Sequence, residues 1–283
     1  MGASCNDRRV RFAALLVAAA ACRGGAHDEL PPTQPAPAHQ TVRVAVVGGL
    51  VETGLWPELV ARWERQTGHK VELASVGPKP VVVGAYRAGG IDLIAVHASD
   101  AMINLVADGL AIDPEPWLRN DLVIVGPAGD PAGVRGERDA LAAVKRIGEK
   151  GKLLVHASNG ADTVLHELLD SGRAKLPETA LVMFGGDDQH ELLARAAELG
   201  AYTIVGRIPF VDGKLARHGL ELMVRGDPRL RRPYLVEIAP RAPGAARELA
   251  SWLRSAEAQQ TIAEYGRGRY DDEPLFYPIT TAR

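Results

Sequence analysis

The stretches VRVAVV at 42–47, VELASV at 71–76 and IDLIAV at 91–96 decide the fold class of this chain. Amphipathic segments separate them: LWPELVARWERQ at 55–66 has apolar residues at helical spacing, and 81–88 predicts a second helix. Strands that alternate with helices in this way form a parallel sheet whose two faces are both covered. The sequence therefore predicts an α/β fold.

A second alternation follows the turn-rich segment GPAGDP at 126–131. Strands near 122 and 236 connect the two rhythms, which indicates two lobes between which the chain crosses twice. We expect each lobe to be a sheet flanked by helices. The predicted boundaries are 41–121 with 235–283 for lobe I, and 122–234 for lobe II.

The same pattern places a candidate pocket. Ligands of α/β sheets bind beyond the carboxyl ends of the strands, where loops and helix N-termini face a crevice. We therefore expect a ligand cleft between the lobes, formed by the loops that follow residues 47, 75, 96, 156 and 205.

Composition and motifs exclude several classes of function. The chain has 33 basic and 35 acidic side chains, a formal net charge of -2, and no basic stripe, so no nucleic-acid partner is expected. No nucleophile elbow, zinc-protease motif or phosphate loop occurs, so the sequence predicts no enzyme, no catalytic residue and no cofactor. Removal of an N-terminal signal would leave one cysteine, so neither a disulfide nor a thiolate metal site is expected.

The N-terminus predicts export. Arg8, Arg9 and Arg11 precede the apolar run FAALLVAAAA at 12–21, which is too short to span a bilayer and fits a signal peptide. The run ends at Cys22 in a segment that resembles a bacterial lipobox, with Ala19 where that motif usually has leucine. We expect residues 1–22 to be a lipoprotein signal whose cysteine is lipidated, anchoring the chain to the membrane. The alternative is an ordinary signal peptide cleaved after the alanines.

Residues 23–40 are rich in proline, which favours an extended spacer between the anchor and the folded body.

Several segments of the body resemble the tungstate-binding proteins of bacterial ABC importers. These segments are DLIAVHA at 92–98, NDLVIVGP at 120–127, ELMVRGDPRL at 221–230 and PLFYP at 274–278. The resemblance implies a two-lobed type II periplasmic binding protein fold with the ligand cleft between its lobes. It also implies a monomer in the periplasm or at the cell surface that captures an oxyanion such as tungstate or molybdate for an ABC permease.

The binding loops differ from the pattern of that family. Where that family has Thr-Thr-Thr-Ser after the first strand, this chain has VVGG at 46–49. The candidate ligand contacts that remain in this loop are the Gly48 and Gly49 amides and Thr53. The family's arginine in the second lobe is replaced by Ala157. Thr163 aligns with a polar residue of the family's ligand-binding motif. Ser158 and Asn159 are two further candidates, shifted in the sequence from the family's polar positions.

Three further side chains supply charge or altered selectivity in this interpretation. Lys79 and Arg207 are the candidate cations, and His156 ends a strand at the expected pocket mouth. The alternatives are a solvated loop lysine for Lys79 and a surface or inter-lobe salt bridge for Arg207. Loss of the hydroxyl row and of the arginine removes several charge-assisted hydrogen bonds of about 1.5–3 kcal/mol each, so tungstate is expected to bind weakly. The alternative function is a sensor or scavenger of a different small ligand on the same fold.

Overall fold

The computed structural model describes residues 39–156, 160–186 and 188–279. The strands are β1 Thr41–Val47, β2 Lys70–Gly77, β3 Leu93–His97, β4 Ile112–Pro127, β5 Leu153–His156, β6 Leu181–Phe184, β7 Tyr202–Gly206, β8 Leu220–Val224, β9 Arg231–Ile238 and β10 Tyr277–Pro278. The helices are α1 Gly48–Glu52, α2 Leu55–Thr67, α3 Lys79–Arg87, α4 Asp100–Ala107, α5 Ala140–Lys150, α6 Gly160–Ser171, α7 Gln189–Glu198, α8 Arg207–Val211, α9 Gly244–Trp252 and α10 Ala256–Glu264, with a 3₁₀ turn at Pro228–Leu230.

Helix α2 illustrates how the sequence pattern produces these elements. Leu55, Leu59 and Trp63 are four residues apart, lie on one face of the helix and are fully buried against the sheet. The helix ends at Gly68, whose backbone is left-handed (φ 73°), a conformation that glycine adopts without steric cost. The predicted span of 55–66 is therefore confirmed to within one residue.

The strands hydrogen-bond in the order β2-β1-β3-β9-β4-β7-β5-β6, with β8 and β10 also paired to β4. Strand β1 is parallel to β2 and β3, and β5 is parallel to β6 and β7. Strands β4 and β9 run antiparallel to their neighbours and connect these two parallel groups. The alternation read from the sequence therefore corresponds to two parallel groups of strands, each accompanied by helices.

Strand β4 is much longer than predicted and changes partner along its length. The sequence indicated a strand only at 122–125, whereas β4 has 16 residues. Up to Asp121 it pairs with β9, and from Leu122 it pairs with β7 and β8. Its first half contains Pro114 and Pro116, which weaken the sequence signal for a strand. The pairing of β4 with β9 shifts in register between Ile112 and Leu118, the segment that contains these prolines.

The buried core is divided where β4 changes partner. Trp117 and Leu118 belong to a cluster that also contains residues of β1, β3, α2 and α9. Leu122 and Val123, on opposite faces of β4, belong to two other clusters built from residues 122–230. The apolar contacts on the two sides of this point are therefore largely independent.

One buried carboxylate lies within the first core cluster. Glu237 of β9 is fully buried opposite Ile94, and neither of its carboxylate oxygens has a hydrogen-bond partner among the described residues. Burial raises the pKa of this carboxyl to about 7. The folded protein therefore prefers the protonated form, whereas the unfolded chain ionises near its ordinary pKa of 4.5.

Glu237→Gln is expected to stabilise the protein in a pH-dependent way. Because the folded pKa is raised, the wild-type free energy of unfolding is highest below pH 4.5 and falls as the pH rises to about 7. The gain from the substitution should grow over that interval to about 3 kcal/mol. Urea unfolding between pH 4.5 and 8 measures it. The exposed Glu72→Gln is the control, and the same profile for both variants would contradict the prediction.

Candidate functional site

A groove of about 800 Å³ opens at the carboxyl ends of β1 and β3. Val47 and His97, the last residues of these strands, line it together with Arg232 at the start of β9. The opposite wall is helix α6, which contributes Gly160 and Thr163. The groove is thus enclosed by elements from both parts of the divided core, as the pattern of strand ends predicted.

Three helices begin at this groove. Lys79, Asp100 and Gly160 are the first residues of α3, α4 and α6, and all three line it. The N-terminus of a helix carries a partial positive charge and unpaired backbone N–H groups. The convergence of three such ends favours a negatively charged group in the groove.

Arg232 is the principal cation of the groove. Its Nε is buried without a hydrogen-bond partner, and no carboxylate pairs with its guanidinium in the described part of the chain. The guanidinium lies against Gly160, where an added Cβ would overlap Nη1 and approach Cζ to 3.1 Å. A larger residue at 160 would displace the guanidinium from this position. An unpaired cation beside a helix N-terminus is unfavourable until an anion lies between them.

The basic groups in the groove have pKa values below their ordinary values. Burial lowers the pKa of the Arg232 guanidinium, and burial and then Arg232 lower the pKa of the Lys79 ammonium. Nearby Asp100 acts in the opposite direction on Lys79. Burial, followed by Arg232 and Lys79, holds the pKa of His97 well below its ordinary value, so this imidazole is neutral near pH 7. A bound anion would relieve this repulsion.

Neutral groups complete the site. Ser99, the residue before α4, has a buried hydroxyl without a hydrogen-bond partner among the residues described, and it lines the groove. His97 stacks on Tyr234 with ring centroids 4.1 Å apart, and its Nε2 lies 3.3 Å from Asn120 Nδ2. The imidazole is therefore held in place and presents a fixed edge to the groove.

Two of the predicted ligand residues lie in this groove, namely Lys79 and Thr163. Ser158 and Asn159 lie outside the described residues. The other predicted ligand residues are placed elsewhere.

Gly48, Gly49 and Thr53 are not among the residues that line the groove. The two glycines begin the short helix α1, and the Glu52 carboxylate packs against Gly48, where a Cβ would lie 2.8 Å from Oε1. The Thr53 hydroxyl donates to the Gly49 carbonyl at 2.7 Å and so completes the end of that helix. The Thr53 hydroxyl is thus used within this turn, whereas the Gly48 and Gly49 amides stand in the first turn of α1, where a helix has no acceptor for its N–H groups.

His156 and Arg207 are also outside the groove. His156 is buried at the end of β5 and packs edge-on against Phe184, with ring centroids 6.0 Å apart. Arg207 is 1% exposed and its Nη1 lies 3.2 Å from the Asp271 carboxylate, while its Nη2 donates to the Pro274 carbonyl. Nearby carboxylates rather than a ligand therefore neutralise Arg207.

The sequence analysis missed the most informative residue of the groove. Arg232 belongs to a segment with three arginines, at 229, 231 and 232, and no local signal distinguishes them. Ser99 and Asp100 were also missed as individual residues, although they lie in the loop after residue 96 that the strand pattern had selected.

This fold and groove define a class of protein: a two-lobed solute-binding protein with an anion-favouring cleft. Residues 42–267 match the family model of bacterial extracellular solute-binding proteins, and the chain belongs to that family. Among the described residues, no helix is long and apolar enough to cross a membrane.

Several characterised relatives are similar along most of their length. The tungstate-binding protein TupA of Peptoclostridium acidaminophilum is 28% identical over 279 residues, covering 95% of each chain. A putative ABC transporter anion-binding protein of Haloferax volcanii is 29% identical, covering 84% of this chain and 72% of its own.

The structure of the tungstate binding protein TupA from Desulfovibrio alaskensis G20 superposes with a TM-score of 0.69 at 25% identity, covering 86% of this chain and all of that one. The tungstate ABC transporter structure from Geobacter sulfurreducens gives 0.62 at 26% identity, covering 80% and 98%. The predicted type II periplasmic binding fold is confirmed.

Proposed function

We propose that this protein binds a small oxyanion, or a solute that carries an oxyanion group, in the groove and delivers it to an ABC importer. The observation that carries the proposal is Arg232, a cation without a carboxylate partner in the described residues, beside Lys79 and three helix N-termini. An unpaired charge of this kind costs stability, so its retention is best accounted for by a ligand. The names of the relatives support an anion as that ligand.

Tungstate itself is expected to bind weakly. The loop after β1 has no hydroxyl at 46–49, and Ala157 stands where the related pattern has arginine. Arg232, Lys79 and Ser99 replace part of that binding from different positions. Their arrangement is therefore suited to an anion of another size or shape.

Isothermal calorimetry with tungstate, molybdate, sulfate and phosphate tests the proposal. At least one anion should bind, and at a thousandfold excess over its Kd it should add about 4 kcal/mol to the free energy of unfolding. Absence of binding by all four, and by the organic phosphates introduced below, would refute anion capture. Nanomolar tungstate affinity would contradict only the weak-binding expectation.

We further propose that the chain acts as a monomer whose lobes, 41–121 with 235–283 and 122–234, close on the ligand. The division of the core at Asp121 and Leu122 supports these boundaries. Small-angle scattering should show a monomeric mass and a smaller radius of gyration when the anion is added. An unchanged radius at saturation would contradict closure.

The N-terminal segment is proposed to anchor the protein through lipid on Cys22, outside the cytoplasm. The apolar run and the alanines before this cysteine support the proposal, and these residues lie outside the described part of the chain. Cys22→Ala should move the protein from the membrane fraction to the soluble extracytoplasmic fraction. Unchanged membrane association, measured by fractionation and immunoblotting, would exclude the lipid anchor.

A further inference from the structure

The groove contains charges of both signs. Besides the two cations Lys79 and Arg232, and Arg231, whose charge is paired with Asp121, three carboxylates line it, those of Asp100, Asp162 and Glu167. A fully deprotonated inorganic dianion is attracted by the two cations and repelled by the three carboxylates. Binding of a bare oxyanion therefore accounts for the cations but not for the acids.

Helix α6 sets the distance between the two kinds of charge. Gly160, Thr163, Val164 and Glu167 line the groove, and their spacing places them on one face of the helix. Arg232 contacts Gly160 at the start of this face. Glu167 lies seven residues further along, which corresponds to about 10 Å of helix axis. One wall of the groove is thus positive at one end and negative at the other.

Of the three carboxylates, Glu167 is the one available to a ligand. Asp162 lies 3.3 Å from His166 Nδ1, and Asp100 is close enough to Lys79 to offset part of the lowering of the pKa of that ammonium by burial and Arg232. Glu167 is exposed and forms neither a hydrogen bond nor an ion pair with any described residue. The groove volume of about 800 Å³ is also in the range of sites for small organic molecules.

We propose that the solute is a small organic zwitterion. Its phosphate, phosphonate or sulfonate group binds Lys79 and Arg232, and its own amino group binds Glu167. The inference rests on the proposed function, because the same groove must first hold the anionic group. It makes Glu167 the residue that selects an amino-bearing oxyanion over an inorganic one.

Two phosphate esters that differ only in the amino group provide the test. Calorimetry on the full chain compares O-phosphoethanolamine with ethyl phosphate, and tungstate serves as the inorganic reference. O-phosphoethanolamine should bind about two- to fivefold more tightly than ethyl phosphate, because an ammonium–carboxylate pair at an exposed position contributes up to about 1 kcal/mol. Glu167→Gln should abolish this preference without weakening ethyl phosphate. Glu149→Gln removes an exposed carboxylate of α5 outside the groove and should leave the preference intact.

The possible failures are distinguishable. If ethyl phosphate or tungstate binds and O-phosphoethanolamine is no tighter, the zwitterion inference is wrong and anion capture stands. If the preference exists but survives Glu167→Gln, the assignment of the amino contact to Glu167 is wrong. If none of these probes or the inorganic anions binds the wild-type protein, the inference and the proposed function both fail.

Discussion

Arg232→Gln is expected to weaken the binding of any anion in the groove by at least about 100-fold. The substitution removes the guanidinium that has no other partner in the described chain, and with it two charge-assisted hydrogen bonds of about 1.5–3 kcal/mol each. The same change should not lower the unfolding temperature of the unliganded protein, because it removes a repulsion with Lys79. Calorimetry and thermal unfolding, with and without anion, measure the two effects.

Arg247→Gln is the matched control for charge. Arg247 forms an exposed ion pair with Asp113, remote from the groove in sequence and absent from its lining. Surface pairs of this type contribute little to stability, so both affinity and unfolding temperature should stay close to wild type. If Arg232→Gln left affinity unchanged, or Arg247→Gln weakened it equally, Arg232 would not be the anion-binding residue.

Arg207→Ala is expected to destabilise the protein by about 3–5 kcal/mol, because it empties the space of a large buried side chain and removes part of the neutralisation of two carboxylates. Arg207 lies between Asp271 and Asp121, at 3.2 Å and 3.9 Å, and a neighbouring arginine, Arg225, shares Asp271. Anion affinity of the folded variant should be retained, since Arg207 does not line the groove. Urea unfolding and calorimetry at low temperature separate the two quantities.

The control for this prediction is Lys214→Gln, which breaks an exposed ion pair with Glu52. Its cost should stay below about 1 kcal/mol. The opposite result for Arg207→Ala, lost affinity with unchanged stability, would restore the role in ligand binding that the sequence analysis assigned to Arg207.

Local physical chemistry made much of the fold readable from the sequence. Apolar runs such as 42–47 and 91–96 form strands, and the leucine and tryptophan spacing in 55–66 forms a helix, because each pattern matches one backbone period. The rule that ligands bind beyond the carboxyl ends of strands then located the loops after residues 47 and 96 correctly. Lys79 was proposed from the loop after the second strand and Thr163 from the family resemblance, and both line the groove.

Only the tertiary structure decided which of the arginines at 229, 231 and 232 lines the groove without a carboxylate partner among the described residues. Arg229 pairs with Asp227 and Asp139, Arg231 pairs with Asp121 and stacks on Tyr277, and neighbouring Arg232 meets Gly160 instead. Adjacent residues of a strand point to opposite faces, so Arg231 meets Asp121, which lies 110 positions away in the chain, and Arg232 does not. The same reason explains Arg207. Its chain neighbours suggested a ligand contact, whereas carboxylates brought close by the fold made it a buried ion pair.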